Sequence, residues 1–122
     1  MSLTEIIDRL ERGIEINRAL DAALAQLIGW TRKVEYIKRD GVPTPDRKVL
    51  WIVPDGDDTG LIPYYTTSVE AAFDFAQALL PGSVGGVSWD NGNFTAIVND
   101  GPYCSSATPA VAVCLAALKA KS

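Results

Sequence analysis

Residues Thr108 to Ala120 constrain this chain more than any others. The run Thr-Pro-Ala-Val-Ala-Val-Cys-Leu-Ala-Ala-Leu-Lys-Ala carries no charge before Lys119. Thr108 suits the N-cap position, and Pro109 suits the first helical position, where a missing N–H loses no partner. The spacing predicts a helix that is apolar on every side, and in a water-exposed domain such a helix has to be enclosed. Ala110, Ala112, Ala116, Ala117 and Ala120 leave room for close neighbours. The expectation is a central rod touching both Leu20, Leu24 and Leu27 of an earlier helix and a sheet.

A chain of 122 residues, 48% of them hydrophobic, supplies a core for one domain spanning residues 1–122. No apolar run reaches the ~20 residues that a bilayer-spanning helix requires. The start, Met1 to Glu5, lacks a basic segment followed by an apolar one, so no secretory leader is expected. The chain is therefore expected to be cytoplasmic and free of the membrane, with Cys104 and Cys114 as thiols. It contains no histidine. That removes His-based acid–base catalysis and the Ser-His-Asp and Cys-His nucleophiles. No catalytic residue, cofactor or metal ligand set is expected.

Read in order, Ser2 and Glu5 have capping-box spacing, and Leu3, Ile6, Ile7 and Leu10 form one stripe of a first helix ending at Gly13. This helix is expected either to fold onto the core or to sit at its periphery as a dimer contact. Asn17 caps a second helix over 18–28, with Leu20, Ala23, Leu24, Leu27 and Ile28 facing inward and Gly29 after its end. Lys33 to Lys38 alternate as a half-exposed strand, and Gly41 to Asp46, with Pro43 and Pro45, read as a loop. Val49 to Val53 is wholly apolar and reads as a central strand covered on both faces. Thr67 opens a third helix, with Glu70 completing its capping box and Val69, Ala72, Phe73, Ala76, Leu79 and Leu80 inward. Asn91-Gly92 turns a hairpin in which Trp89 faces Phe94, Ser88 faces Thr95, Val87 faces Ala96 and Gly85 faces Val98. Asn99 to Ala107 read as a polar loop. Helices on both sides of a covered strand imply an α+β fold, a three-layer α/β/α sandwich with a small, mainly antiparallel sheet.

Four stretches then resemble a known family together: Ile6 to Glu11, Asn17 to Ala23 with Gly29-Trp30, Tyr65 to Ala72, and Thr108 to Ala120. Their order and content resemble the phage ABA sandwich domain, a family of small phage and prophage proteins. The resemblance spans nearly the whole chain, and the Thr-Pro start before a Cys-containing, Ala-rich helix is its most specific part. The basic, proline-containing stretch Thr31 to Lys48 departs from it. The resemblance implies an α/β/α fold and carries no established activity or catalytic residue.

Charge is unevenly placed along the chain, whose net charge is −4. Six of its eleven cations, Arg32, Lys33, Lys38, Arg39, Arg47 and Lys48, lie within seventeen residues, while Val49 to Leu118 contains seven acids and no base. The basic stretch is the candidate partner surface, for a protein partner or a second copy. Nucleic acid is the alternative, disfavoured because Glu35, Asp40 and Asp46 are interspersed and Tyr36 is the only interleaved aromatic. Tyr65, Thr66 and Thr67, with Ser105 and Ser106, precede helix starts where free N–H groups can hold anions, although ordinary capping is the favoured explanation. Asp55, Asp57 and Asp58 have the look of a calcium loop, but Thr66 stands where its bidentate Glu belongs. The function expected from these features is a non-enzymatic accessory or interaction domain.

Overall fold

The computed structural model describes residues Met1–Ser122. The architecture is α+β, with four helices and two small antiparallel sheets. Helix α1 spans Leu3–Arg12 and α2 spans Arg18–Leu27; β1 (Thr31–Arg39) and β2 (Val42–Ile52) make the first sheet. Helix α3 (Val69–Leu79) follows. Strands β3 (Gly85–Asp90), β4 (Asn93–Val98) and β5 (Cys104–Ser106) make the second sheet in that order, and α4 (Pro109–Lys121) closes the chain.

Helix α4 is the axis of the core. Every residue from Ala110 to Leu118 is buried. It lies against β4, β5 and β3 on one side and against α3 and α1 on others. Ile6 and Leu10 of α1 are fully enclosed, so this helix belongs to the core instead of its periphery. Leu20 and Leu24 are enclosed, whereas Leu27, at the end of α2, is substantially exposed. Helix α2 packs against α1 and α3, so α1 and α3, not α2, are the helices seated on α4. Thr108 occupies the N-cap of α4 without a side-chain hydrogen bond, and Pro109 removes one of the donors that would need a cap.

The local signals at the other helix ends are realised in hydrogen bonds. The Glu5 N–H donates to Ser2 Oγ at 3.2 Å, and the N–H groups of Ala19 and Leu20 both donate to Asn17 Oδ1. Helix α3 begins one residue later than its capping-box spacing suggests: Ser68, not Thr67, accepts from the Ala71 N–H. The buried stripe is Ala72, Phe75 and Ala76, at i, i+3 and i+4, so Phe75 enters the core and Phe73 lies exposed beside it.

The β3–β4 hairpin has the expected register, Trp89 opposite Phe94, Val87 opposite Ala96 and Gly85 opposite Val98. Asn91 (φ 50°) and Gly92 (φ 76°) make the left-handed turn between them. Phe94, Ala96 and Val98 alternate inward toward α4, while Thr95 faces away and shares a 2.9 Å hydrogen bond with Ser105. Part of the expected polar loop is thus a strand, since three residues of β5 complete the sheet beside β4.

The sheet material differs from expectation most between residues 31 and 53. Val49 to Val53 is not a central strand covered on both faces: Val49 is exposed, and Leu50, Trp51 and Ile52 are half-buried. The segment is the base of a long two-stranded ribbon whose strands touch mainly each other. The expected loop at 41–46 is the start of β2. Asp40 (φ 51°) and Gly41 (φ 75°) form the same kind of left-handed two-residue turn as Asn91-Gly92. Pro43 and Pro45 are tolerated because each strand of a two-stranded ribbon has an open edge, where a missing N–H breaks no ladder bond.

Candidate functional interface

The helix-start residues are occupied by the fold itself. Thr66 is buried (2% exposed) and gives both its N–H and its hydroxyl to Asp21 Oδ1, at 2.9 and 2.8 Å. The other oxygen of Asp21 accepts from Arg18 at 2.9 Å, and Arg18 also donates to the carbonyls of Ile62 and Pro63. The Arg18 guanidinium lies 3.9 Å from the centre of the Tyr64 ring. Asp21 itself is 1% exposed and accepts three hydrogen bonds, two from Thr66 and one from the Arg18 guanidinium. This network pins the 61–66 segment to α2 with no buried polar side chain left unpartnered.

Tyr65 is likewise enclosed, its ring 5.5 Å from that of Phe75. Burial raises its phenol above the ordinary tyrosine value, with Trp30 acting in the opposite direction. Its carbonyl accepts a hydrogen bond from the Cys114 thiol at 3.3 Å. Burial, reinforced by Asp21, also pushes that thiol far above its usual range, which makes it an inert core group. Thr67 is exposed, one residue before the α3 cap. Ser105 and Ser106 belong to β5; Ser105 bonds Thr95, and Ser106 Oγ accepts from the Thr108 N–H at 3.4 Å. The structure therefore does not gather these residues around a common opening. Asp55, Asp57 and Asp58 are exposed in the loop that folds back on the end of β2, through Val53 N–H to Asp58 O and Gly60 N–H to Trp51 O.

Two concavities stand out. One, of about 300 Å³, lies between α3 and the β3–β4 edge and has no charged lining residue. The other, of about 530 Å³, lies at the base of the ribbon between α2 and residues 59–62, with Arg18 and Lys48 at its wall.

The six cations of the basic stretch are brought together on the ribbon, and all six are exposed. Register decides how they are arranged, because residues paired across an antiparallel ladder share a face. Arg32 pairs with Trp51, Val34 with Val49 and Tyr36 with Arg47, which defines one face. Lys33 pairs with Leu50 and Glu35 with Lys48 on the other; past a register shift between Tyr36 and Lys38, Lys38 pairs with Pro43 and Arg39 with Val42. Glu35 lies on the second face, 3.3 Å from Lys33, and Asp46, in the unpaired stretch at the shift, is 3.5 Å from Arg39. Arg32 and Arg47 share the first face with no paired acid, and neither they nor Lys38 and Lys48 make an ion pair. A linear reading finds the cations but not this sorting, since two strands have to be aligned before faces exist.

No helix is long and apolar enough to cross a membrane. Comparison with family models, with curated proteins and with solved structures finds no match for this chain.

Proposed function

We propose that the chain is a non-enzymatic interaction module, of the accessory kind that its phage-like motifs suggest, and that it docks its partner through the β1–β2 ribbon. One observation carries this reading. A ribbon with strands of nine and eleven residues stands outside the core, with Tyr36 64% and Val42 62% exposed, and holds six of the eleven cations. An isolated two-stranded ribbon contributes little stability of its own. Its exposed apolar and basic side chains are better explained by contact with another molecule than by folding.

The reading is tested by a thermal-shift panel of nucleotide cofactors, divalent metals and small metabolites. A ligand at a hundred times its Kd stabilises by about 2.7 kcal/mol, which raises the Tm by several degrees. The expected result is a Tm unchanged within about a degree throughout. A saturable rise with any member of the panel would point to a small-molecule or metal site and overturn the proposal.

A further inference from the structure

We infer that the ribbon face carrying Arg32, Val34, Tyr36 and Arg47, continued by Lys38 beyond it, binds single-stranded nucleic acid. The inference rests on the ribbon being the docking element and names what it docks.

The first support is the sorting of charge. Cations on a free strand edge discourage edge-to-edge aggregation, and that role accounts for basic residues on a ribbon in general. It does not account for leaving the paired positions around Tyr36 free of acids. Glu35 and Asp46 are engaged by Lys33 and Arg39, and Asp40 sits in the turn, so Arg32 and Arg47 flank Tyr36 on its face without compensation, with Lys38 two residues beyond it on the same strand. Residues 31–52 carry six cations against three acids, a net +3.

The second support is what lies between the cations. Tyr36 is directly opposite Arg47 and largely exposed; Val34 and Val49 are paired beside it. Trp51, opposite Arg32, is half-buried against the core and fixes the base of the face. An exposed ring flanked by guanidinium and ammonium groups is the combination that holds single strands, through stacking on the bases and attraction to the backbone. A duplex hides its bases and makes no use of Tyr36.

The acidity of the rest of the chain does not oppose this binding at the far end of the ribbon. From Thr31 to Lys38 a strand rises roughly 23 Å at about 3.3 Å per residue. Charges on water-exposed surfaces are screened over about 8 Å at physiological salt. The acidic loop Asp55–Asp58 sits at the base of the ribbon, where Thr59 bridges to Ile52. A second copy of the chain is a poorer occupant of this face, because two such faces repel each other.

The test compares two double variants that remove the same charge from opposite faces, R32Q/R47Q and K33Q/K48Q. Binding of fluorescein-labelled oligothymidylate is followed by anisotropy across a salt series, with a DNA duplex and heparin as competitors. Wild-type binding is expected to weaken with salt at a logarithmic slope near −2, about 0.7 for each of three backbone contacts. R32Q/R47Q is expected to lose at least tenfold in affinity and K33Q/K48Q less than threefold, each with a wild-type Tm. Y36A is expected to weaken oligothymidylate binding while leaving heparin binding unchanged. No binding at low salt, or equal losses from the two double variants, would overturn the inference. Heparin or duplex competing as well as single strands, with Y36A silent, would also overturn it and leave only attraction to polyanions. Failure here with a blank small-molecule panel leaves the interaction-module reading standing, whereas a positive panel removes that reading whatever the oligonucleotide does.

Discussion

Helix α4 and the β1–β2 ribbon are opposite solutions to burial in one chain. Helix α4 has nine consecutive buried residues, none of them charged. The ribbon, with strands of nine and eleven residues, has none buried. In the first, the side chains are small and apolar because neighbours press on every side. In the second, apolar, basic and acidic side chains alternate in water, and only the base, from Leu50 to Ile52, reaches the core. The contrast separates residues that make the fold from residues the fold displays.

The largest expected effects therefore lie in α4. Leu115 is 3% exposed, and Leu115→Ala should cost about 2–5 kcal/mol in urea unfolding, the range for truncating an enclosed leucine. Such a loss is a large share of a domain stability of about 5–15 kcal/mol. Shortening the ribbon instead, by joining Lys33 to Leu50 through an Asn-Gly turn, removes far more atoms and should change stability by less than about 1 kcal/mol. If the shortened chain fails to fold, the ribbon is part of the core and the contrast is wrong.

A smaller effect follows from Cys114. Its thiol is held protonated by burial in the folded chain, while in the unfolded chain it ionises at about pH 8.5. Below that pH both states keep the proton and stability is full. Above it the unfolded state binds fewer protons, so stability falls as pH rises, by up to about 1.4 kcal/mol per pH unit from this group. Cys104, also raised by burial, adds in the same direction. Cys114→Ala should flatten the decline between pH 8.5 and 10 in urea titrations. An unchanged slope would place its origin elsewhere.

Much of the fold was legible because its signals are local. Ser2 and Asn17 act as caps, the Asn91-Gly92 turn sets the β3–β4 register, and the chargeless run before Lys119 marks α4. What was not legible depends on partners distant in sequence or on competing local cues. Asp40-Gly41 is as good a turn pair as Asn91-Gly92, but Pro43 and Pro45 suggested a loop, since prolines are excluded only from strands with neighbours on both edges. A short apolar run such as Val49 to Val53 does not say how many of its faces are covered. Thr66 looked available until Asp21, 45 residues earlier, was found to take both of its donors. Likewise the six cations were plain in the sequence, but their division between two faces required the register.

Native-state hydrogen exchange tests the central claim, that an enclosed core built on α4 displays a ribbon the fold does not need. The amides of Ala112 to Leu118 should exchange only through global unfolding, with an opening free energy equal to the unfolding free energy from urea. Those of Val34 to Lys48 should open locally, several kcal/mol more easily, and should be unaffected by Leu115→Ala. Equal protection in the two regions, falling together in Leu115→Ala, would contradict the account, because the ribbon would then be stabilised by the same core as α4.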